Sequence, residues 1–420
     1  MNGERGERVK DIMSLEAALK LAMESIDQRT DHETVLLSEA LGRVLTSEVT
    51  ARKNLPSFDN SAMDGFAFRH EDAGKTLRIA RRIFAGEVPE AILGTQECYK
   101  IMTGAQLPSD VDTVIPIEMC EHVTDTQVFI PEGIAQGSNF RKKGEEVCKG
   151  EVLIESGTIL EASHIALLSA QGIMAVEVFA KPKIVIVSSG NEIKEPWEEA
   201  NEDEIYNANA FGIKALLQSY GFEASYAGAI GDDFESTVAF IEKLKKYDVI
   251  ITTGGISKGD ADFIYKAFMH HGLETLFQGL KIKPGHPVTM GWMGRTFVMG
   301  MPGNPLATML TTHTIGIPLL YKIAGANACY HAVSYAKISQ DMKVRPGRVN
   351  MVIGEVESGI FTPTRNNKIG SGMITPLCES SAVLYLDETV EEVVKDTWVC
   401  MVRYGERARE KENHTLYRNI

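Results

Sequence analysis

The sequence predicts a multi-domain chain of α/β plus β class, in which a central open α/β/α sheet is flanked by β-rich domains. Between Lys181 and Phe263, three apolar runs (residues 184–187, 222–227 and 249–251) each lead into glycine and then acid. The pairs are Gly190 with Glu192, Gly231 with Asp232, and Gly254-Gly255 with Asp260 and Asp262. Before them, residues 77–131 hold short alternating runs cut by Gly86, Gly94, Gly104 and a Pro108-Ser109-Asp110 turn, the texture of a small β domain. From His331 onward alternation returns, with turns at Pro346-Gly347 and Glu357-Ser358-Gly359.

Composition sets the bounds. A chain of 420 residues exceeds what one core can organise, and 44% hydrophobic with 24% charged residues is ordinary for globular protein. The net charge of −14 opposes binding to nucleic acid or to an anionic membrane, while leaving room for a small anion held by local cations. The charged start MNGERGERVK lacks the apolar core of a signal peptide, and no apolar run is long enough to span a bilayer. A cytoplasmic protein is expected. Cys98, Cys120, Cys148, Cys329, Cys378 and Cys400 are scattered, with no C-x-x-C pair, and read as buried thiols in a reducing compartment. The ten histidines form no H-E-x-x-H motif, and His270-His271 reads as surface near a helix end.

In chain order, Ser14 is placed to cap a helix whose Leu15, Leu19, Ala22 and Ile26 share one face. A strand follows at residues 35–37. The stretch PSFDNSAMDGF packs Asp59, Asn60, Ser61 and Asp64 between Pro56 and Gly65, too dense a polar cluster for a plain linker, although an Asx-turn loop would also carry it. IMTGAQLP puts Thr103-Gly104 at a strand end, and NFRKKGEEV concentrates Arg141, Lys142 and Lys143 on what reads as a hairpin rim. Residues 151–172 read as a hairpin and then a helix stopped by Gly172.

Within the α/β region, helices are expected over residues 209–220 and after Asp232, where Asp232 with Glu235 makes a capping-box-like start. That cap alone accounts for Asp232; its repetition beside Glu192 and Asp262 is what suggests a ligand role. Convergent carboxylates beside a phosphate-friendly glycine turn point to Mg²⁺ on phosphate oxygens, since Mg²⁺ takes few carboxylates and keeps its waters. GLKIKPGHP then sets Lys281 and Lys283 beside a Pro-Gly turn, opposite in charge to the acids. A hairpin through Gly294 leads to MPGNP, where Pro302 and Pro305 fix the backbone around Gly303 at the start of an apolar helix. The last β domain carries Arg345, Arg348 and the Gly370-Ser371-Gly372 turn, and the charged tail from Glu406 reads as frayed.

GISKG also fits the G-x-S-x-G elbow of serine hydrolases. There the helix starts at the serine, whereas here Gly259, Asp260 and Asp262 intervene and no downstream histidine is singled out as a base, so Ser257 reads as a loop residue.

Taken together, PSFDNSAMDGFA, IMTGAQLP, NFRKKGEE, SSGNE, GDD, TTGGISKGDADF, KIKPGHP, MPGNP, RPGR and IGS, in this order along nearly the whole chain, resemble the molybdopterin molybdenumtransferase (MoeA) family, which includes the C-terminal domain of gephyrin. The resemblance implies an elongated chain with four parts. These are a mixed α/β linker domain (residues 10–50 plus 143–180), a β-rich insert (51–142), a Rossmann-like molybdopterin-binding α/β/α domain (181–327) and a C-terminal β-barrel-like domain (328–420). It implies insertion of molybdate into the dithiolene of adenylylated molybdopterin, with Mg²⁺-dependent release of AMP. It also implies a homodimer with composite sites, and molybdopterin adenylyltransferase and molybdoenzymes as partners.

By resemblance the catalytic positions are Asp59 and Thr103 (reaching across from the partner subunit), Glu192, Asp232, Asp262 and Lys283. Glu192, Asp232 and Asp262 would hold Mg²⁺. Substrate binding would fall to Gly254, Gly255, Ser257, Lys281, His286, Pro302, Pro305, Arg348 and Ser371. Thr103 and Ser371 come from the resemblance alone. One departure stands out: members often carry a lysine where this chain has His286, and histidine, unlike lysine, changes charge within the physiological pH range. Two rivals are a scaffold that keeps the fold as a dimerising platform, and an adenylyltransferase. The gathered acids and Lys283 oppose the first. The FDNSAMDG, RKKGEE and PGNP segments oppose the second.

Overall fold

A computed structural model describes residues 12–27, 31–231, 233–255 and 263–404. Its centre is a six-stranded sheet of β1 (Ile184–Ser189), β2 (Ala224–Ile230), β3 (Val249–Thr253), β4 (Leu273–Gln278), β5 (Thr289–Met293) and β6 (Thr296–Met301), in the order β2-β1-β3-β6-β5-β4. β2, β1, β3 and β6 are parallel, and the Gly294 hairpin returns β5 antiparallel. Alternating residues of β1 and β3 face opposite sides. Ile184, Ile186, Val249 and Ile251 join the core of helices Ala208–Ser219 and Pro305–Thr311, while Val185, Val187 and Ile250 pack on Phe234–Leu244 and Phe263–His270. Burying each such aliphatic side chain contributes about 1.5–3 kcal/mol, which is why these runs are apolar on both faces.

Register then does the positioning. Ser188 pairs with Thr253, Thr253 with Met301, and Ser189 with Ile230. Gly190, Gly231, Gly254 and Pro302 therefore leave the sheet at one carboxyl edge, beside the switch point where the chain crosses from one side of β1 to the other.

The remaining units build outward. Ser14 accepts a hydrogen bond from the Ala17 amide and caps helix Leu15–Glu24, whose Ala18, Ala22 and Met23 bury into the α/β core. Strands His32–Leu36 and Ala175–Phe179 pair antiparallel beside helix Ala162–Ala170. The insert is a five-stranded sheet of Gly65–Phe68, Thr76–Ile83, Glu97–Ile101, Thr113–Pro116 and Gln127–Phe129. In the C-terminal unit, Val349–Glu357 pairs with both Ile360–Pro363 and Ala382–Leu386, closing the sheet on itself as a barrel. Ile282–Lys283, leaving the α/β domain, adds to that barrel in parallel, with Ile282 opposite Val349.

Several expectations change. The cap of helix Phe234–Leu244 is Asp233, not Asp232: its carboxylate accepts the Ser236 amide at 2.8 Å. Residues 222–223 complete a turn, the Phe222 amide donating to Leu217 O, so β2 starts at Ala224. His271 is not a surface residue; its side chain is 8% exposed, with Nε2 2.8 Å from Val238 O and Nδ1 3.2 Å from Glu242. Of the cysteines, Cys98 and Cys329 are buried, whereas Cys148, Cys378 and Cys400 are exposed. Among the described residues no helix is long and apolar enough to cross a membrane. The expected fraying from Glu406 lies outside the described residues.

Candidate active site

Two adjoining cavities open at the carboxyl edge of the sheet. The larger, about 910 Å³, is a cleft walled by Ser189-Gly190, Glu192, Thr253-Gly254-Gly255 and the start of helix Ala208–Ser219. Gly254 and Gly255 have φ of +81° and +66°, and a Cβ on either would lie within 3.0 Å of Ser189 Oγ. Only glycine fits, and the bare backbone is left open to a ligand, as phosphate binding beside such turns requires. Glu192 follows Gly190, whose Cβ, if present, would sit 2.5 Å from the Glu192 carboxylate.

The second cavity, about 470 Å³, lies between the α/β domain and the barrel. Its polar lining is Lys283, His286, Asn304, Arg348, Asn350, Asn367 and Ser371. The parallel pairing of Ile282 with Val349 explains why Lys283 and Arg348 meet there although 65 residues separate them (348 − 283). Asn350 Nδ2 donates to the carbonyls of Arg345 and Arg348, both at 3.0 Å, and pins the RPGR turn. Neither Lys283 nor Arg348 forms an ion pair with another described residue. Two unneutralised cations with amide and hydroxyl groups suit a small oxyanion.

His286 Nδ1 is 2.7 Å from Leu280 O. A carbonyl only accepts, so the imidazole proton sits on Nδ1, and Nε2 carries a lone pair unless the ring is charged. Ser371 comes from a loop whose Arg365, Asn366 and Asn367 have φ of 50–59°. That left-handed turn is held by the Arg365 guanidinium on Glu379 and Thr375.

The cavities share a wall. Gly303 and Asn304 line both, Pro302 faces the anion side, and Pro305, first residue of its helix, faces the cleft. Asn209 Nδ2 donates to Gly303 O at 2.6 Å from one side, and Asn304 Nδ2 donates to Ser371 Oγ at 3.0 Å on the other.

Of the predicted site residues, Glu192, Gly254, Gly255 and Pro305 line the cleft, and Lys283, His286, Pro302, Arg348 and Ser371 line the smaller cavity. Lys281 lines neither; its amide bonds Met13 O and its carbonyl accepts from Val349, which fixes it on the outside of the same segment. Asp232, Ser257 and Asp262 lie outside the described residues, and among the described residues no three acidic, histidine or cysteine side chains cluster as a metal site.

Asp59 and Thr103 line neither cavity in this chain; they form a separate patch on the insert. Asp59 Oδ1 accepts the Lys143 amide at 2.7 Å. Asp64 accepts the hydroxyl and the amide of Thr103 at 2.7 and 2.6 Å, and these bonds hold its carboxyl below the ordinary carboxylate range. Arg141 is neutralised by Glu145 at 2.8 Å, so Lys142 and Lys143 carry the positive charge of this rim. Sequence reasoning passed over Asp64, Asn209 and Asn304 as site residues. Asp64 and Asn304 stand inside recognised motifs, while nothing local marks Asn209.

The chain is similar to known proteins over most of its length. Residues 13–172 match the model of the MoeA N-terminal region (domain I and II), and residues 185–322 match a probable molybdopterin binding domain. A molybdopterin molybdenumtransferase of Haemophilus influenzae is 32% identical over 82% of this chain and 86% of its own length. One from Staphylococcus epidermidis is 29% identical over 83% and 86%. The crystal structure of a molybdopterin biosynthesis moeA protein from Pyrococcus horikoshii superposes with a TM-score of 0.82 at 30% identity, over 94% of this chain and 100% of that one.

Proposed function

The chain belongs to the MoeA family of molybdopterin molybdenumtransferases, and on that premise we propose that it inserts molybdate into the dithiolene of adenylylated molybdopterin and releases AMP. The observation that carries the reading is the pair of cavities of different chemistry with one shared wall at Gly303-Asn304. A ligand with a phosphate-bearing half and a reactive half needs this arrangement. Its phosphates would lie on the Gly254-Gly255 backbone, and its sulfur end would pass the shared wall toward an oxyanion held by Lys283, Arg348 and Ser371.

Mg²⁺ would be held by Glu192 together with Asp232 and Asp262, and when bound would neutralise phosphate charge and polarise the bridging bond. The Glu192 carboxylate fits that role: it is a hard oxygen donor on the cleft wall, folded over a glycine that leaves it room. The chain's own residues do the rest. The glycine turn orients the phosphates, Lys283 and Arg348 attract and fix the dianion, and the PGNP wall keeps the two reacting halves in line. Asp59 and Thr103 would complete each site from the second subunit of a homodimer, which accounts for their distance from both cavities.

The test is reconstitution. Purified chain, adenylylated molybdopterin, Mg²⁺ and molybdate should together activate a cofactor-free molybdoenzyme, and omitting the chain or the molybdate should abolish activation. Equal activation without the chain would reject the function.

A further inference from the structure

Asn304 occupies the residue before helix Pro305–Thr311, the position where asparagine ordinarily accepts a hydrogen bond from the first turn. It makes no such cap. Its side chain instead crosses to the barrel, Nδ2 donating to Ser371 Oγ at 3.0 Å, while the helix amide of Leu306 donates to the Ser371 carbonyl at 3.1 Å. The PGNP turn and the Gly370–Gly372 loop are thereby docked by two bonds to one residue. The turn is also held from behind, by Asn209 Nδ2 on Gly303 O at 2.6 Å.

The bond to Ser371 has a direction. A hydroxyl has one proton and two acceptor lone pairs. With Asn304 Nδ2 occupying a lone pair, the Ser371 proton is left to point elsewhere, and Ser371 lines the cavity that holds Lys283 and Arg348. An oxyanion only accepts, so a serine fixed as a donor suits it and a serine turned to accept does not.

We infer that Asn304 is a positioning residue. Acting through Ser371, it sets that hydroxyl as a donor into the anion cavity, and the bound oxyanion gains one charge-assisted hydrogen bond that an unassisted serine would supply only part of the time. The inference rests on the proposed oxyanion role of this cavity and adds to it a residue that does not itself hold charge.

The test measures molybdate affinity by calorimetry, with no other substrate, for the wild-type protein, Asn304→Ala, Ser371→Ala and the double variant. Ser371→Ala should weaken binding about ten-fold or more, the loss of one hydrogen bond to a charged group. Asn304→Ala should weaken it by a large part of that factor. The double variant should bind no more weakly than Ser371→Ala, because the Asn304 effect travels through a hydroxyl that is already gone. Retained AMP binding and an unchanged unfolding midpoint show that the variants are folded. Multiplicative losses in the double variant would mean that Asn304 acts on the anion or the fold by another route. Wild-type affinity in Asn304→Ala would overturn the inference outright. Absence of molybdate binding to the wild-type protein would instead reject the oxyanion cavity itself.

Discussion

Adding one methyl group at Gly285 tests how the anion cavity is held. Gly285 lies between Lys283 and His286 with φ of +106°, and a Cβ there would stand 2.2 Å from Thr311 Oγ1 and 3.2 Å from Ile282 Cδ1. Contact distances are about 3.5 Å, so the turn must retreat by more than about 1 Å. Thr311 is fully buried and β-branched, and cannot swing aside cheaply. Backbone strain and overpacking together cost about 2–5 kcal/mol of stability.

Gly285 lines the cavity, so a retreat from Thr311 displaces the turn that carries Lys283. A shift of about 1 Å in a cation some 4 Å from a dianion costs about 1.7 kcal/mol at an effective dielectric of 20. Solvent screening trims this to about a ten-fold loss of affinity. Gly285→Ala should therefore weaken molybdate binding about ten-fold in calorimetry and lower the unfolding midpoint. Thr311 Oγ1 has no partner among the described residues, so adding Thr311→Ala removes the clash at modest cost. The double variant should regain most of the affinity while keeping the φ strain as lost stability. If Gly285→Ala binds molybdate like the wild type, or the double variant binds as weakly as the single, the account of this turn is wrong.

Three further outcomes follow from the same structure. His313 stacks on His331 at 4.2 Å, and burial, then the neighbouring His331, push its pKa down to about 3; burial lowers His331 as well. The unfolded chain binds protons first, so stability is full above about pH 6.5 and falls as pH drops toward 3, by up to about 1.4 kcal/mol per pH unit for one group. Urea unfolding between pH 6.5 and 5 should show that slope and His313→Phe should reduce it, leaving the share of His331; a flat wild-type profile would contradict it. Because His286 Nδ1 is committed to Leu280 O, the neutral ring offers the cavity it lines no second N–H, so His286→Lys should tighten molybdate binding. Unchanged affinity in His286→Lys would remove His286 from the anion site. Finally, mixing Asp59→Asn with Glu192→Gln subunits should restore activity that neither shows alone, since one site of each mixed dimer is intact. Verified heterodimers without activity would place the whole site within one chain.

Much of the fold was legible because burial on both faces imposes an all-apolar, β-branched composition, as in residues 249–251, and the glycines that follow mark where the backbone is left bare at the carboxyl edge. Lys283 and Arg348 were legible as cations but not as neighbours; the two-residue pairing of Ile282–Lys283 with the barrel joins them. Lys281 read as sharing the role of Lys283 because both stand beside the Pro-Gly turn. Pairing of the Lys281 backbone with Met13 and Val349 decides otherwise. GDD is ambiguous by one residue as a helix cap, and the amide of Ser236 selects Asp233. His271 read as surface because its partners, Val238 and Glu242, belong to another helix. Asn304 passed unnoticed within MPGNP, because the group it bonds, Ser371, stands on the barrel loop 67 residues later.

The most direct test of joint use of the two cavities follows AMP release from adenylylated molybdopterin with Mg²⁺, with and without molybdate, in the wild-type protein, Glu192→Gln and Arg348→Ala. In the wild type, AMP should appear one for one with molybdenum in the product and depend on molybdate. Glu192→Gln should release little AMP at any molybdate concentration, and Arg348→Ala should need much more molybdate to reach the same rate. Wild-type rates and molybdate dependence in both variants would contradict the assignment of cleft and anion cavity to a single reaction.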